Sequence, residues 1–292
     1  MRLAIFDGPE PDGLRLGVVT ATGVADVTDA LPWPRDPDTV TAGWWRRLCR
    51  DFDAVRPALA EAARAATTPR RPLATTRLRA PVLNPSKIVA AASNYGGHVA
   101  EMHEVQRRTL GRVDPWMMDF DAFLKAPSSI IGPADDIVLP PRVKDEVHHE
   151  AELVAIVGEG GKDIPPREVL NRIVGYTIGL DITVRGQGDR SRRKSYDTFS
   201  PLGPWLVTRD EAGDPTDMDI ELERNGVLKQ KANTRDMLVP LQDIISYVSA
   251  IMTLLPGDVI FTGAPPGVGP IAPGDTLRAR ISRLGEMELR VR

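Results

Sequence analysis

Glu150 and Glu152 stand two residues apart at the head of an apolar run, Val147-His148-His149-Glu150-Ala151-Glu152-Leu153-Val154-Ala155-Ile156-Val157-Gly158. Valine, leucine and isoleucine at this density, closed by a glycine, predict a strand. Residues i and i+2 of a strand point to one face, so both carboxylates converge on one place. Like charges there repel unless a proton or a cation lies between them, and a hard divalent ion held by oxygen ligands is the simple solution. Asp181 ends a second apolar run, Val174 to Leu180, and would supply a third carboxylate. The plainer alternatives are a solvated strand face for the glutamates and a strand-end cap for the aspartate. The apolar neighbours after Glu150 weaken the first of these.

Composition narrows the field. A chain of 292 residues holds one large domain, or one large and one small. A net charge of -3 gives no electrostatic case for nucleic acid. Cys49 is the single cysteine, which excludes an intramolecular disulfide and a multi-cysteine metal site. No long uncharged apolar stretch could span a membrane. Met1 to Gly8 reads as a strand entering a turn rather than a signal peptide, so a cytoplasmic location is expected. The 26 prolines and 25 glycines imply many turns, which suits a β-rich architecture with long loops.

Short strands are expected at Leu3 to Phe6, Arg15 to Thr20 and Gly23 to Val27. The 3-to-4 spacing of Trp44, Trp45, Leu48, Phe52 and Val55 predicts a helix over 43–66 that Pro57 interrupts or restarts. The polar, proline-bearing stretch Thr67 to Pro72 marks a boundary, giving a small N-terminal domain at 1–72 and a main domain at 78–292. In the main domain Lys87 to Ala92, Ile137 to Leu139, Arg172 to Asp181, Trp205 to Thr208, Asp219 to Arg224, Asp258 to Thr262 and Leu277 to Ile281 read as strands. Gln242 to Leu255 is the clearest helix, stopped by Pro256-Gly257. Short strands dominate, so the expectation is an α+β, β-rich fold built on a mixed β-sheet roll or barrel, not a doubly wound sheet.

Three further segments carry chemistry. In Ser93-Asn94-Tyr95-Gly96-Gly97-His98-Val99-Ala100-Glu101 a helix begins at a glycine pair, and Glu101 lies one turn from His98 on the same face. A carboxylate beside a histidine orients the ring and raises its basicity, as a water-activating base requires; the alternative is a solvated helix face. Arg185, Arg190, Arg192, Arg193 and Lys194 make a cationic run just after Asp181. Such a run is usually a solvated loop, but from this position part of it could serve an anionic substrate. In the Gly/Pro loop Pro256 to Gly269, backbone amides and the Thr262 hydroxyl could hold a carboxylate. The Walker lysine, the dinucleotide fingerprint and a G-x-S-x-G elbow are all absent. Val105 to Phe123, with Trp116, Met117, Met118, Phe120 and Phe123, is either part of a pocket lid or its packing.

In order along the chain, "KIVAAASNYGGHVAEM", "FLKAPSSIIGPADDIVLP", "EAELVAIVG", "VGYTIGLDITVRG", "RKSYDTFSPLGPWLV" and "PGDVIFTGAPPGVG" resemble the fumarylacetoacetate hydrolase family over roughly Lys87 to Asp275. The small preceding domain fits its longer members. The resemblance implies that Glu150, Glu152 and Asp181 ligate Mg²⁺ or Mn²⁺, with Ca²⁺ able to substitute in crystals. It implies that His98 and Glu101 activate water on a lid segment and that Lys194 stabilises an oxyanion. It puts Lys125, Arg185 and Thr262 near the substrate, and a homodimer is implied in the same way. Gly186 and Gly188 stand where the family commonly has aspartate and glutamine. That glutamine often positions the attacking water in hydrolytic members, and here only the adjacent Gln187 offers the side chain. His149 precedes the first glutamate and either approaches the metal's outer ligand shell or is a partly buried strand residue.

The expected activity is a divalent-metal enzyme acting on 2-oxo or 1,3-dioxo carboxylic acids through a metal-stabilised enolate. Hydrolysis of a carbon–carbon bond in an acylpyruvate-like or fumarylacetoacetate-like substrate comes first. An isomerase, decarboxylase or hydratase of a 2-hydroxyhepta-2,4-diene-1,7-dioate-like substrate is the alternative, and a non-catalytic binding protein is a second alternative.

Overall fold

A computed structural model describes residues 1–8, 13–34, 43–113 and 119–292. Trp116, Met117 and Met118 of the expected lid segment lie outside the described residues. The chain opens with β1 (Arg2–Asp7), β2 (Leu14–Thr20) and β3 (Gly23–Asp26), then α1 (Gly43–Arg50), α2 (Phe52–Arg64), β4 (Arg70–Arg71) and β5 (Leu78–Arg79). There follow β6 (Ile88–Ala92), α3 (Gly96–Leu110), β7 (Asp121–Lys125), β8 (Ile130–Ile131), β9 (Val147–His149), β10 (Ala151–Val157), α4 (Pro166–Arg172), β11 (Ile173–Leu180), β12 (Thr183–Val184), α5 (Arg190–Lys194) and β13 (Ser200–Thr208). The last part holds α6 (Arg209–Ala212), β14 (Asp219–Arg224), β15 (Val227–Asn233), α7 (Leu241–Ile251), β16 (Val259–Phe261), β17 (Gly269–Pro270), β18 (Thr276–Ile281) and β19 (Gly285–Arg290).

Among the described residues, twelve strands share one mixed sheet with the path β4-β3-β2-β1-β13-β11-β10-β16-β6-β7. β1 pairs antiparallel with β13, so the N-terminal strands continue the sheet that carries the carboxylates. Smaller sheets, β12-β9-β17 and β15-β14-β18-β19, complete the sheet-rich α+β fold. Every residue of β10 and β11 is buried. Leu153, Ala155 and Val157 pack into one apolar cluster with α7, and Val154 and Ile156 into another with α1 and α2. A strand covered on both faces has no polar alternation, which is why the sequence here is an unbroken apolar run.

Three local expectations are corrected. The helical stretch breaks at Asp51, and Pro57 sits inside α2, on its exposed face, where the carbonyl it leaves unpaired can meet water. α7 ends at Ile251 rather than at Leu255, because Leu254 forms a two-way bridge with Gly161 that demands extended backbone. Ile137 to Leu139 makes only a bridge from Ile137 to Val291. No helix among the described residues is long and apolar enough to cross a membrane.

Candidate metal centre

β10 and β11 run antiparallel, and their last paired residues are Ala151 and Leu180. The next residues outward are Glu150 and Asp181, and the Asp181 N–H donates to the Glu150 carbonyl across 2.8 Å. Two residues further, both strands have left the large sheet and re-pair as β9 and β12, His148 opposite Thr183. Glu150 is thus the link between two sheets, not a mid-strand residue. Glu152 lies inside β10, opposite Gly179. One oxygen from each of Glu150, Glu152 and Asp181 falls within 4.8 Å of the others, and all three side chains are buried.

Three cations surround them. Arg185 donates to Glu150 Oε1, and Lys194 to Glu150 Oε2 across 2.7 Å. Lys125 donates to Asp181 Oδ1 across 2.6 Å. Lys194 also binds Asp181 Oδ2 and Thr183 Oγ1, so all three of its N–H donors are committed. Burial alone would raise the Glu150 carboxyl, but Lys194 and Arg185 outweigh it and hold Glu150 well below the usual carboxylate range. Glu152 goes the other way. Burial first, then the charges of Asp181 and Glu150, push it well above that range, while its hydrogen bond from the Gly263 N–H, 2.7 Å, offsets only part. Burial likewise lowers the Lys125 ammonium, against the pull of Asp181.

This donor set fits a divalent metal. Three buried carboxylates converge, Glu152 accepts a backbone N–H where the other two accept from cations, and oxygen-only ligation suits a hard cation. Glu150, Glu152 and Asp181 would hold it.

Above the trio lies the start of α3. His98 Nδ1 and Glu101 Oε2 are 3.7 Å apart, and both are buried without a hydrogen-bond partner. The other Glu101 oxygen accepts the Gly267 N–H across 2.7 Å. Burial would raise Glu101, yet the neighbouring His98 ring and the Gly267 N–H leave it below its ordinary value, ionised at neutral pH. At its far end α3 is held by Arg108, which forks onto Glu146, 2.7 Å for Nη2–Oε2; Glu146 in turn meets His148 Nε2 at 2.9 Å.

A cleft joins these parts. His98, Glu150, Arg185 and Lys194 form its polar wall, and Met102 and Phe123 contribute apolar surface. Other expected site residues lie elsewhere. Thr262 is fully buried and its hydroxyl donates to the Leu153 carbonyl, 2.9 Å, where β16 runs out of pairing with β10, so it does not face the cleft. Lys125 is sealed between Asp181 and the Phe199 carbonyl, 2.8 Å, and braces the Asp181 carboxylate. Gln187 is exposed on an outer cavity beyond Gly186 and does not reach the trio. His149 is fully buried, its Nδ1 3.2 Å from Gln230 Oε1, and burial pushes it down to about 4.

Sequence reading missed Gln230. From β15 its amide accepts from Ala151 N at 2.9 Å and donates to the Pro265 carbonyl at 3.0 Å, bracing the backbone between the two glutamates and the Gly/Pro loop. No local pattern marks a glutamine that acts across the fold. Asn94 is similar: its amide donates to Val239 and Thr262 carbonyls and accepts the Val239 N–H. Arg193, noted only as part of a charge run, is buried and donates to the Val184 and Gly188 carbonyls, both 3.0 Å, closing the loop after Asp181.

Comparison with known proteins places these features among relatives. The family model described as fumarylacetoacetate (FAA) hydrolase C-terminal matches residues 87–292. A maleylpyruvate hydrolase of Aquipseudomonas alcaligenes is 38% identical over 280 residues, 95% of this chain and 96% of the relative. The crystal structure of maleylpyruvate hydrolase from Sphingobium sp. SYK-6 with manganese(II) and pyruvate superposes with a TM-score of 0.84 at 40% identity, covering 100% of this chain and 98% of that one. A 2-hydroxyhepta-2,4-diene-1,7-dioate isomerase from Mycobacterium marinum superposes with a TM-score of 0.73 at 32% identity, covering 100% and 98%.

Proposed function

The chain belongs to the fumarylacetoacetate hydrolase family, and on that premise we propose that it is a manganese-dependent hydrolase that cuts the carbon–carbon bond of an acylpyruvate. The observation that carries this reading is whole-length similarity to maleylpyruvate hydrolases combined with a buried trio of carboxylates. Manganese is preferred to magnesium because the similar Sphingobium structure holds manganese(II) with pyruvate. We also propose a cytoplasmic homodimer, and the division into a small domain at 1–72 and a catalytic domain at 78–292.

Charge supports an anionic ligand. Three carboxylates face Lys125, Lys194 and Arg185, so the protein groups balance and a divalent ion leaves an excess of positive charge. The 2-oxo carboxylate of a pyruvyl group answers that excess.

A bound divalent cation supplies Lewis-acid stabilisation of the oxygen that becomes an enolate. The His98–Glu101 pair takes a proton from water, and the hydroxide adds to the acyl carbonyl. Lys194, with its N–H donors already committed, acts on the tetrahedral oxyanion through its charge rather than a new hydrogen bond. Collapse breaks the bond between the acyl carbon and the pyruvyl methylene. The electron pair goes to the enolate, which takes up a proton, so that one acylpyruvate and one water give a carboxylate, pyruvate and a proton. Gly188 has no side chain to orient the water, so the dyad does this alone.

The test is purified protein with manganese and maleylpyruvate, pyruvate release being read by a coupled dehydrogenase. Chelator-sensitive pyruvate formation is expected. A shifted double bond without pyruvate would identify the isomerase reading instead, to which the lower-identity Mycobacterium relative points.

A further inference from the structure

We propose that the Arg108–Glu146 ion pair is a latch: it seats α3 over the carboxylate trio and so positions the His98–Glu101 dyad. The effect on turnover rests on the acylpyruvate reading above. α3 forms one wall of the inner cleft with His98, Met102, Val105 and Leu110. The cleft encloses about 80 Å³, room for a few water molecules. Sites for small organic ligands run to ~300–1,000 Å³. An acylpyruvate therefore enters only when the cleft widens, and α3 is the wall that can yield. Among its described residues only His98 and Gln106 are buried, while Val99, Met102, Val105 and Leu110 are partly exposed. A segment with so little buried apolar surface belongs to the least stable part of a fold. It also has glycine at each end to pivot on, the Gly96–Gly97 pair and Gly111 at φ +69°.

Polar ties hold such a helix down. Near its start Gly267 grips Glu101. Near its end, about three turns on from His98, Arg108 forks onto both oxygens of Glu146. Glu146 is part of the site's own frame. Its carbonyl accepts the Arg185 N–H across 2.7 Å, Arg185 in turn binds Glu150, and β9 starts at the next residue. The latch therefore clamps the helix to the backbone that leads into the first carboxylate. Arg108 first, and His148 second, hold the Glu146 carboxyl down at about 2, so it is ionised at neutral pH. Both partners of the fork are exposed, which makes it worth little to global stability and open to salt. A modest tie at the tip of a loosely packed helix is enough to bias a lid between two positions.

The experiment follows backbone hydrogen exchange of α3 in the manganese-loaded native protein, in Arg108→Gln, Glu146→Gln and Arg108→Lys, and in the double variant Arg108→Gln/Glu146→Gln. In each single Gln variant α3 is expected to exchange about three- to tenfold faster, with the large sheet and the melting temperature little changed. The double variant should match the worse single, because the two residues act as one, and Arg108→Lys should keep part of the protection. Raising NaCl from about 0.05 M to about 0.5 M should loosen α3 in the native protein and leave Arg108→Gln unmoved. On maleylpyruvate, kcat should fall by the same few-fold factor with KM and manganese affinity nearly held. Unaltered α3 exchange in the single variants, or losses that multiply in the double, overturn the latch. Exchange is read without substrate, so a native protein that hydrolyses no acylpyruvate sinks the functional reading while α3 still decides the latch.

Discussion

Gly267 donates its backbone N–H to Glu101 Oε1 across 2.7 Å, fixing the acid of the dyad to the Gly/Pro loop. The bond holds one carboxylate oxygen so that the other faces His98 Nδ1. On the proposed mechanism it would also make the loop's backbone conformation a condition of catalysis. Gly267 has φ +95°, and a Cβ there would lie 1.9 Å from the Lys229 carbonyl oxygen. Gly267→Ala should destabilise the fold by about 3 kcal/mol and lower kcat more than metal affinity. Denaturant unfolding and steady-state kinetics check both, and a fully active, fully stable variant would refute the coupling.

Glu101→Gln and His98→Asn should each lower kcat by about 10²- to 10⁴-fold while leaving manganese binding within a few-fold of native. Kinetics paired with calorimetric metal titration separates the dyad from the ligands. Loss of metal binding in either variant would place these residues in the wrong role.

Glu152→Gln keeps the shape of the side chain and removes the one carboxylate that Asp181 and Glu150 oppose. The metal-free variant should therefore melt higher than the metal-free native protein. Saturating manganese should raise the native protein's stability by about 2.7 kcal/mol at a hundred times Kd and leave the variant unmoved. Thermal melts with and without manganese give both readings, and a variant that still responds to the ion would remove Glu152 from the ligand set.

His149 is buried, and burial holds it down at about 4, below its value of about 6.5 in an unfolded chain. Between these values the unfolded chain binds a proton that the folded one refuses, so stability rises with pH there and is lost as pH falls from about 6.5 towards 4. The slope from this one residue is about 1 kcal/mol per pH unit. Denaturant unfolding of the metal-free protein at pH 7, 6 and 5, compared with His149→Gln, should show the native slope flattened in the variant. Parallel slopes would assign the acid sensitivity elsewhere.

Much of the site could be read from sequence because its carboxylates sit in or beside strands buried on both faces. An acid in Val-Leu-Ile surroundings has few places to go, and β10 and β11 deliver Glu150, Glu152 and Asp181 together. Asp219 to Arg224 was legible for a related reason, as the strand bounds coincide with a polar–apolar alternation. Thr262 was misplaced because a hydroxyl at a strand end serves backbone and ligand equally well in one dimension, and only the register of β16 on β10 decides between them. Gln230 was invisible because its partners His149 and Ala151 are about eighty residues away. The early end of α7 depended on Gly161, a turn residue nearly a hundred positions before it.

Glu150 joins the small sheet β12-β9-β17 to the large one. Its carboxylate therefore rides on the seam, whereas Glu152 is rooted inside the large sheet. A slip of one sheet against the other would change the gap between these two oxygens, so for an ion held by the trio the sheets would act as the jaws of a caliper. Discrimination between cations of different radius would then follow from how two sheets are packed. Residues far from the carboxylates that shift that packing, Gln230 foremost, would retune metal preference without touching a ligand.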